Sequence, residues 1–108
     1  NLFKSYIKSA KWRQISFDID LDTFTQIVSQ PCYYCGHVGS VSGGKHYYRY
    51  QIILNGIDRI NSDVGYENLN VVSCCNSCNR MKTDFTFDFF KEKSRKLLAT
   101  FYFSKIIL

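Results

Sequence analysis

The feature that most restricts how this chain can fold is a pair of C-x-x-C motifs, Cys32 and Cys35 in PCYYCG and Cys75 and Cys78 in CCNSCN. Four thiolates at that spacing suit one tetrahedral zinc ion, and a closed four-sulfur site leaves no position open for chemistry, so the expected zinc is structural. The 39 residues from Gly36 through Cys74 exceed a zinc-ribbon interval and must carry structure of their own, for which a β-hairpin fits. A chain of 108 residues makes one small domain, which buries only about 65% of the surface its unfolded form exposes. A zinc site contributing roughly 10 kcal/mol or more would rival the whole stability of such a domain. The remaining cysteine, Cys74, lies in an apolar run and reads as a buried thiol.

Fourteen Lys and Arg against nine Asp and Glu give a net charge of +5 and a pI near 9.0, a balance that favours a polyanionic partner such as nucleic acid. Cysteines paired for metal rather than for disulfides fit an intracellular, reducing compartment, the cytoplasm of a phage- or virus-infected host or an organelle. No stretch is long and apolar enough to cross a membrane, and the N-terminus lacks a signal-peptide layout, so no membrane partner is expected. The chain opens on Asn1 rather than Met, which leaves room for residues upstream.

Phe3, Tyr6, Ile7 and Ala10 recur at helical spacing with Lys4, Lys8 and Lys11 on another face, either a phosphate track or a solvated row. ISFDID alternates like a short extended segment. Asp20 can then cap a second helix carrying Leu21, Phe24, Ile27 and Val28, which Pro31 stops. Gly36 supplies the positive φ of the first knuckle, where Tyr33 and Tyr34 read as packing residues. GSVSGGKHYYRY ends in Tyr48, Arg49 and Tyr50, a cluster that suits base stacking and phosphate contact, or an ordinary edge strand. QIILNGIDRI should hold the first hairpin strand, with a bulge or turn at Asn55 and Gly56, and NVVSC the returning strand. A helix should begin near Asn76. Thr86 can cap a last helix through Phe89, Phe90, Leu97, Leu98 and Phe101, expected to close the core, with the apolar FYFSKIIL end packing on the first helix or forming a homodimer contact. The reading is a single domain over 1–108, with a helical region at 1–30, a zinc-stapled core at 31–82 and a C-terminal helix at 83–108.

From about Pro31 to Phe90 the chain resembles the HNH endonucleases, the ββα-metal nucleases, and is most similar to small phage and intron-borne members whose zinc is held by two C-x-x-C pairs. The resemblance implies an α+β domain with a ββα-metal core, preceded by two short helices and followed by another. It implies a metal-dependent DNA endonuclease of a phage, intron or restriction system that leaves 5′-phosphate and 3′-hydroxyl ends. Asp58 and Asn79 take the places of the ligands for a catalytic Mg²⁺ or Mn²⁺, a hard ion suited to oxygen donors. Asn70 corresponds to the family's central asparagine and counts with the catalytic set. Arg59 stands where most relatives carry the histidine general base. A guanidinium cannot accept a proton near neutrality, so Arg59 reads as a phosphate clamp, and Asp58 and Arg59 can both face substrate only if the strand bulges or ends there. The proton acceptor stays open between His46, one of Tyr47, Tyr48 and Tyr50 as attacking group, and water activated by the metal alone. His37 reads as a surface or supporting group. Arg80 and Lys82, with Tyr48, Arg49 and Tyr50, are the expected DNA contacts. The rival reading is a zinc-stabilised nucleic-acid-binding module that has lost cleavage.

Overall fold

In the computed structural model, which describes residues 1–42 and 52–104, helix α1 spans Leu2–Trp12 and starts where the Asn1 side chain accepts a hydrogen bond from Lys4 N at 3.0 Å. It stops because Gln14 adopts a φ of 59°, which lets Gln14 N and Ile15 N donate back to the carbonyls of Lys11 and Ala10, the Schellman pattern of helix ends. Strand β1 (Phe17–Asp18) leads into α2 (Leu21–Val28), capped by Asp20 as expected, with Oδ1 accepting from Thr23 N at 2.7 Å. The apolar faces of α1 and α2 meet in a core of Ala10, Ile19, Phe24, Val28, Ile57, Tyr66 and Val71. Phe3 packs edge-on against Phe24 with ring centroids 5.1 Å apart, the arrangement that aromatic quadrupoles prefer.

Strands β2 (Ser40–Ser42) and β3 (Ile52–Leu54) pair antiparallel. Asn55 then interrupts the extended run where a bulge or turn was expected. It is buried, its N–H donates to the Val28 carbonyl at 2.9 Å, and its Nδ2 reaches the carbonyls of Gln30 and His37, both at 3.0 Å. One side chain thus ties the end of α2 to the first cysteine knuckle.

Strand β4 (Gly56–Arg59) pairs antiparallel with β6 (Val71–Cys74), placing Asp58 opposite Val72 and Arg59 opposite Val71. Helix α3 (Asn76–Lys82) follows β6 directly and starts where the spacing suggested. Gly56 is required by close approach, since a Cβ there would run into the hydroxyl of Tyr6. That hydroxyl accepts the Ile57 N–H at 3.0 Å and so fixes β4 against α1. Between the two hairpin strands, β5 (Tyr66–Glu67) pairs parallel with β1, an addition that the loop-like NSDVGYEN did not signal.

Helix α4 (Phe87–Ala99) is capped by Thr86, whose Oγ1 accepts from Phe89 N at 3.1 Å, and passes into a π-helical turn over Thr100–Ser104. The expectation that it closes the core is corrected, because none of its residues is buried. It attaches through Phe87 and Phe90, whose rings lie 5.8 and 5.5 Å from that of Tyr34, while Leu97 and Leu98 stay about half exposed. The reason is positional: α1 and α2 already fill the core, and helical periodicity specifies a face without specifying what meets it. The described part is thus an α+β structure of four α-helices and small two-stranded sheets. No helix among the described residues is long and apolar enough to cross a membrane.

Candidate functional site

Two knuckles bring the four cysteines together. In the first, the Cys32 carbonyl accepts from Gly36 N at 2.8 Å and Cys32 N donates to the His37 carbonyl at 2.7 Å, a turn completed by Gly36 at φ 79°. In the second, Cys75 is the N-cap of α3, and its Sγ accepts from Cys78 N at 3.4 Å. Zn–S bonds of about 2.3 Å in a tetrahedron separate the sulfurs by about 3.8 Å. Here Cys35 Sγ and Cys75 Sγ are 3.7 Å apart, and the ligand atoms of Cys32, Cys35, Cys75 and Cys78 all lie within 4.8 Å of one another. The set therefore fits a structural zinc. Burial opposes ionisation of Cys32, yet backbone N–H groups of Cys75, Cys35 and Tyr34 outweigh it and bring the thiol down to about 6. Cys74, by contrast, is driven upward by burial and donates its S–H to the Cys75 carbonyl at 3.3 Å, so it stays a packed thiol outside the metal set.

A cavity of about 630 Å³ that includes none of the four cysteines is lined by residues of α1, the end of β4 and the end of α3. Asp58, Arg59 and Asn79 all open onto it, and they can because β4 terminates at Arg59, freeing successive residues from strict alternation. No partner holds the Asn79 side-chain amide among the described residues, whereas Asp58 is gripped on one oxygen. Its Oδ2 accepts from Tyr34 Oη at 2.6 Å and lies 3.1 Å from Lys82 Nζ. Burial, followed by the neighbouring Asp58 carboxylate, pushes the Tyr34 phenol far up, so it acts there as a fixed donor. The Lys82 side chain is wholly buried and also donates to the Arg59 carbonyl at 3.0 Å.

Three expected roles change. Lys82 shares the Asp58 side of α3 as its spacing implied, but at 0% exposure its ammonium is used inside the protein and cannot meet a phosphate. Arg59 reaches the cavity, yet its Nη1 donates to the carbonyls of Ser62 at 2.7 Å and Val64 at 3.1 Å, and its guanidinium lies 5.3 Å from the centre of the Tyr66 ring. It braces the loop after β4 before it is available as a clamp. Asn70 is buried away from the cavity; its Oδ1 accepts from Asn61 N at 2.9 Å, and its Nδ2 donates to the carbonyls of Asn61, Val64 and Gly65. It ties down the loop after β4 and is not among the residues that line the cavity. Arg80 is exposed on the outer side of α3. His46, Tyr47, Tyr48, Arg49 and Tyr50 lie outside the described residues.

The sequence reading passed over Tyr34, which looked like packing, and Arg13, which follows α1 and lines the cavity with Nη1 3.4 Å from the Tyr66 hydroxyl. Asp84, just past α3, adds a second carboxylate to the rim. Only the position of Tyr34 between Cys32 and Cys35 could have marked it, since a knuckle holds its inner residues rigidly.

No family model matches the chain. No solved structure matches it significantly. Over 86 residues, 80% of this chain, it is 31% identical to an uncharacterized protein of Acanthamoeba polyphaga mimivirus, and it spans 14% of that relative's length.

Proposed function

We propose that this chain is a metal-dependent nuclease of the HNH type that hydrolyses DNA phosphodiesters to 5′-phosphate and 3′-hydroxyl ends. The observation that carries the reading is the convergence of Asp58 and Asn79 on one cavity, the Asn79 amide having no partner among the described residues and Asp58 Oδ2 being held by Tyr34 and Lys82. That grip leaves Oδ1 as the carboxylate oxygen available to the cavity. Asp58 and Asn79 would hold Mg²⁺ or Mn²⁺, which supplies neutralisation of phosphate charge and stabilisation of the leaving oxygen. Lys82 already offsets the charge of Asp58, so the protein ligands alone make a weak cation site that phosphate oxygens complete. Arg13 and Arg59 also line the cavity and would receive the remaining phosphate charge.

Relaxation of supercoiled plasmid with and without Mg²⁺ or Mn²⁺ tests the proposal. Asn79→Ala should abolish cleavage with zinc content and melting temperature unchanged. Asp58→Asn is the better partner variant than Asp58→Ala, because alanine would leave the buried Lys82 ammonium without any acceptor at that position. Activity that is independent of divalent ions, or unchanged in Asn79→Ala, would refute the metal site. One observation favours the binding-module reading: no histidine lines the cavity among the described residues, and Arg59 is engaged by loop carbonyls. Salt-dependent DNA binding without cleavage of duplex, branched or single-stranded DNA would establish that alternative.

A further inference from the structure

Trp12, the only tryptophan of the chain, is the last residue of α1 and is 86% exposed. Solvent-facing indole of that extent is uncommon on a surface with no partner. Its surroundings are specific. A shallow depression of about 680 Å³ is lined by Ser5, Lys8, Ser9, Lys11 and Trp12, and Ser5 and Ser9 also line the Asp58 cavity. The two hollows therefore share one ridge of α1. Lys4, Lys8 and Lys11 are all exposed, Arg13 follows at the cavity rim, and α1 contains no acidic residue to balance them.

We infer that α1 is a strand-binding wall on which nucleic acid leaving the cavity crosses Ser5 and Ser9 and stacks an unpaired base on Trp12. Uncompensated cations fit the phosphates, two hydroxyls on the ridge fit phosphate oxygens, and a flat aromatic face beside them fits any base without sequence preference. A duplex keeps its bases inside the stack, so the surface selects single-stranded or locally opened substrate. The inference shares with the proposed nuclease only the claim that a nucleic-acid strand occupies the cavity, and it does not require cleavage.

Because Trp12 is the sole indole, its fluorescence reports the contact directly. The whole zinc-loaded chain is titrated without added Mg²⁺ or Mn²⁺, and without a chelator that would strip the zinc, with an oligothymidylate of about twelve nucleotides, with an abasic oligomer of equal length and charge, with a duplex, and with anionic phospholipid vesicles. Oligothymidylate should quench the emission strongly and bind most tightly, while the abasic oligomer should bind more weakly with little quenching. Read by the anisotropy of end-labelled oligomers, since these variants carry no indole, Trp12→Ala should weaken oligothymidylate binding roughly 5- to 150-fold and leave the abasic affinity unchanged, with Trp12→Phe recovering most of the loss. Lys8→Gln with Lys11→Gln should weaken both oligomers alike and flatten their salt dependence. Equal response to the two oligomers, equal or tighter binding of duplex, or an emission change with vesicles alone, overturns the inference. Quenching that persists when plasmid cleavage is absent leaves it standing while the nuclease reading fails.

Discussion

Replacing Lys82 with methionine removes a cation that is 0% exposed and leaves a side chain of similar length in its place. The ammonium serves two acceptors, Asp58 Oδ2 at 3.1 Å and the Arg59 carbonyl at 3.0 Å. Once it is gone, a carboxylate that is itself buried keeps only the Tyr34 hydroxyl on that oxygen. Breaking a buried pair from one side costs about 3–5 kcal/mol, because the surviving charge stays desolvated. For a domain of this size that lowers the melting temperature by on the order of 15 °C or more. The double variant Asp58→Asn with Lys82→Met has no stranded charge and should recover most of the loss, giving a coupling energy of about 2 kcal/mol or more in a double-mutant cycle. Urea unfolding of the four proteins supplies the numbers. If Lys82→Met instead melts within a degree or two of the wild type while DNA affinity collapses, the ammonium is a phosphate contact and its internal role is refuted.

Cys78→Ser should lose zinc and the cooperative melting transition together, since a four-thiolate site contributes roughly 10 kcal/mol or more against a typical total of about 5–15 kcal/mol; zinc assay with circular dichroism checks it, and a zinc-free variant with an unchanged melt would contradict it. Tyr34→Phe keeps the ring between Phe87 and Phe90 but deletes the donor 2.6 Å from Asp58, so thermal unfolding should report a loss of about 1–2 kcal/mol with zinc content intact. Asn70→Ala leaves the Asn61 N–H and three carbonyls without the partner that the buried Asn70 side chain supplies; about 3 kcal/mol should be lost, and hydrogen exchange should quicken across residues 60–65. Gln14→Gly relieves a φ of 59° at the end of α1, and chemical denaturation should show a gain of roughly 0.5–1 kcal/mol.

What could be read from the sequence was local. Asp20 and Thr86 cap the helices they were expected to cap, because capping depends on a side chain and an N–H three residues away. The C-x-x-C pairs fixed the sulfur cluster for the same reason: a knuckle is a local turn, and two of them suffice to define the set. Lys82 shows where such reasoning stops. Its spacing from Asn79 gave the correct side of α3, but helical period reports direction and not depth, and depth depends on how close β4 comes to α3. The parallel pairing of β1 with β5 and the tie from Asn55 to both Gln30 and His37 depend on segments distant in sequence meeting in one register, for which no local pattern exists. The exposed apolar side of α4 has the same origin, since its amphipathic pattern is compatible with a partner inside or outside the chain.

The sulfur cluster and the Asp58 cavity are not independent, although they share no residue. Both groups that grip Asp58 Oδ2 come from segments that the cysteines anchor. Tyr34 sits between Cys32 and Cys35, and its neighbour Tyr33 donates its N–H to the Ser73 carbonyl of β6 at 2.8 Å, which sets the knuckle against the hairpin. Lys82 ends the helix whose N-cap is Cys75 and whose first turn holds Cys78. A metal joining all four sulfurs therefore fixes the knuckle, the hairpin and α3 in one frame, and in that frame Tyr34 and Lys82 converge on the same carboxylate oxygen. The aromatic pair Phe87 and Phe90 gives α4 a part in this despite its exposure, because both rings lean on Tyr34. Asp58 lies on β4 in the lining of the cavity, and a carboxylate there would otherwise rotate about its terminal torsion. Gripping one oxygen from two anchored segments fixes the carboxylate in the cavity lining, so the segments that the cysteines anchor position Asp58 without any sulfur touching it.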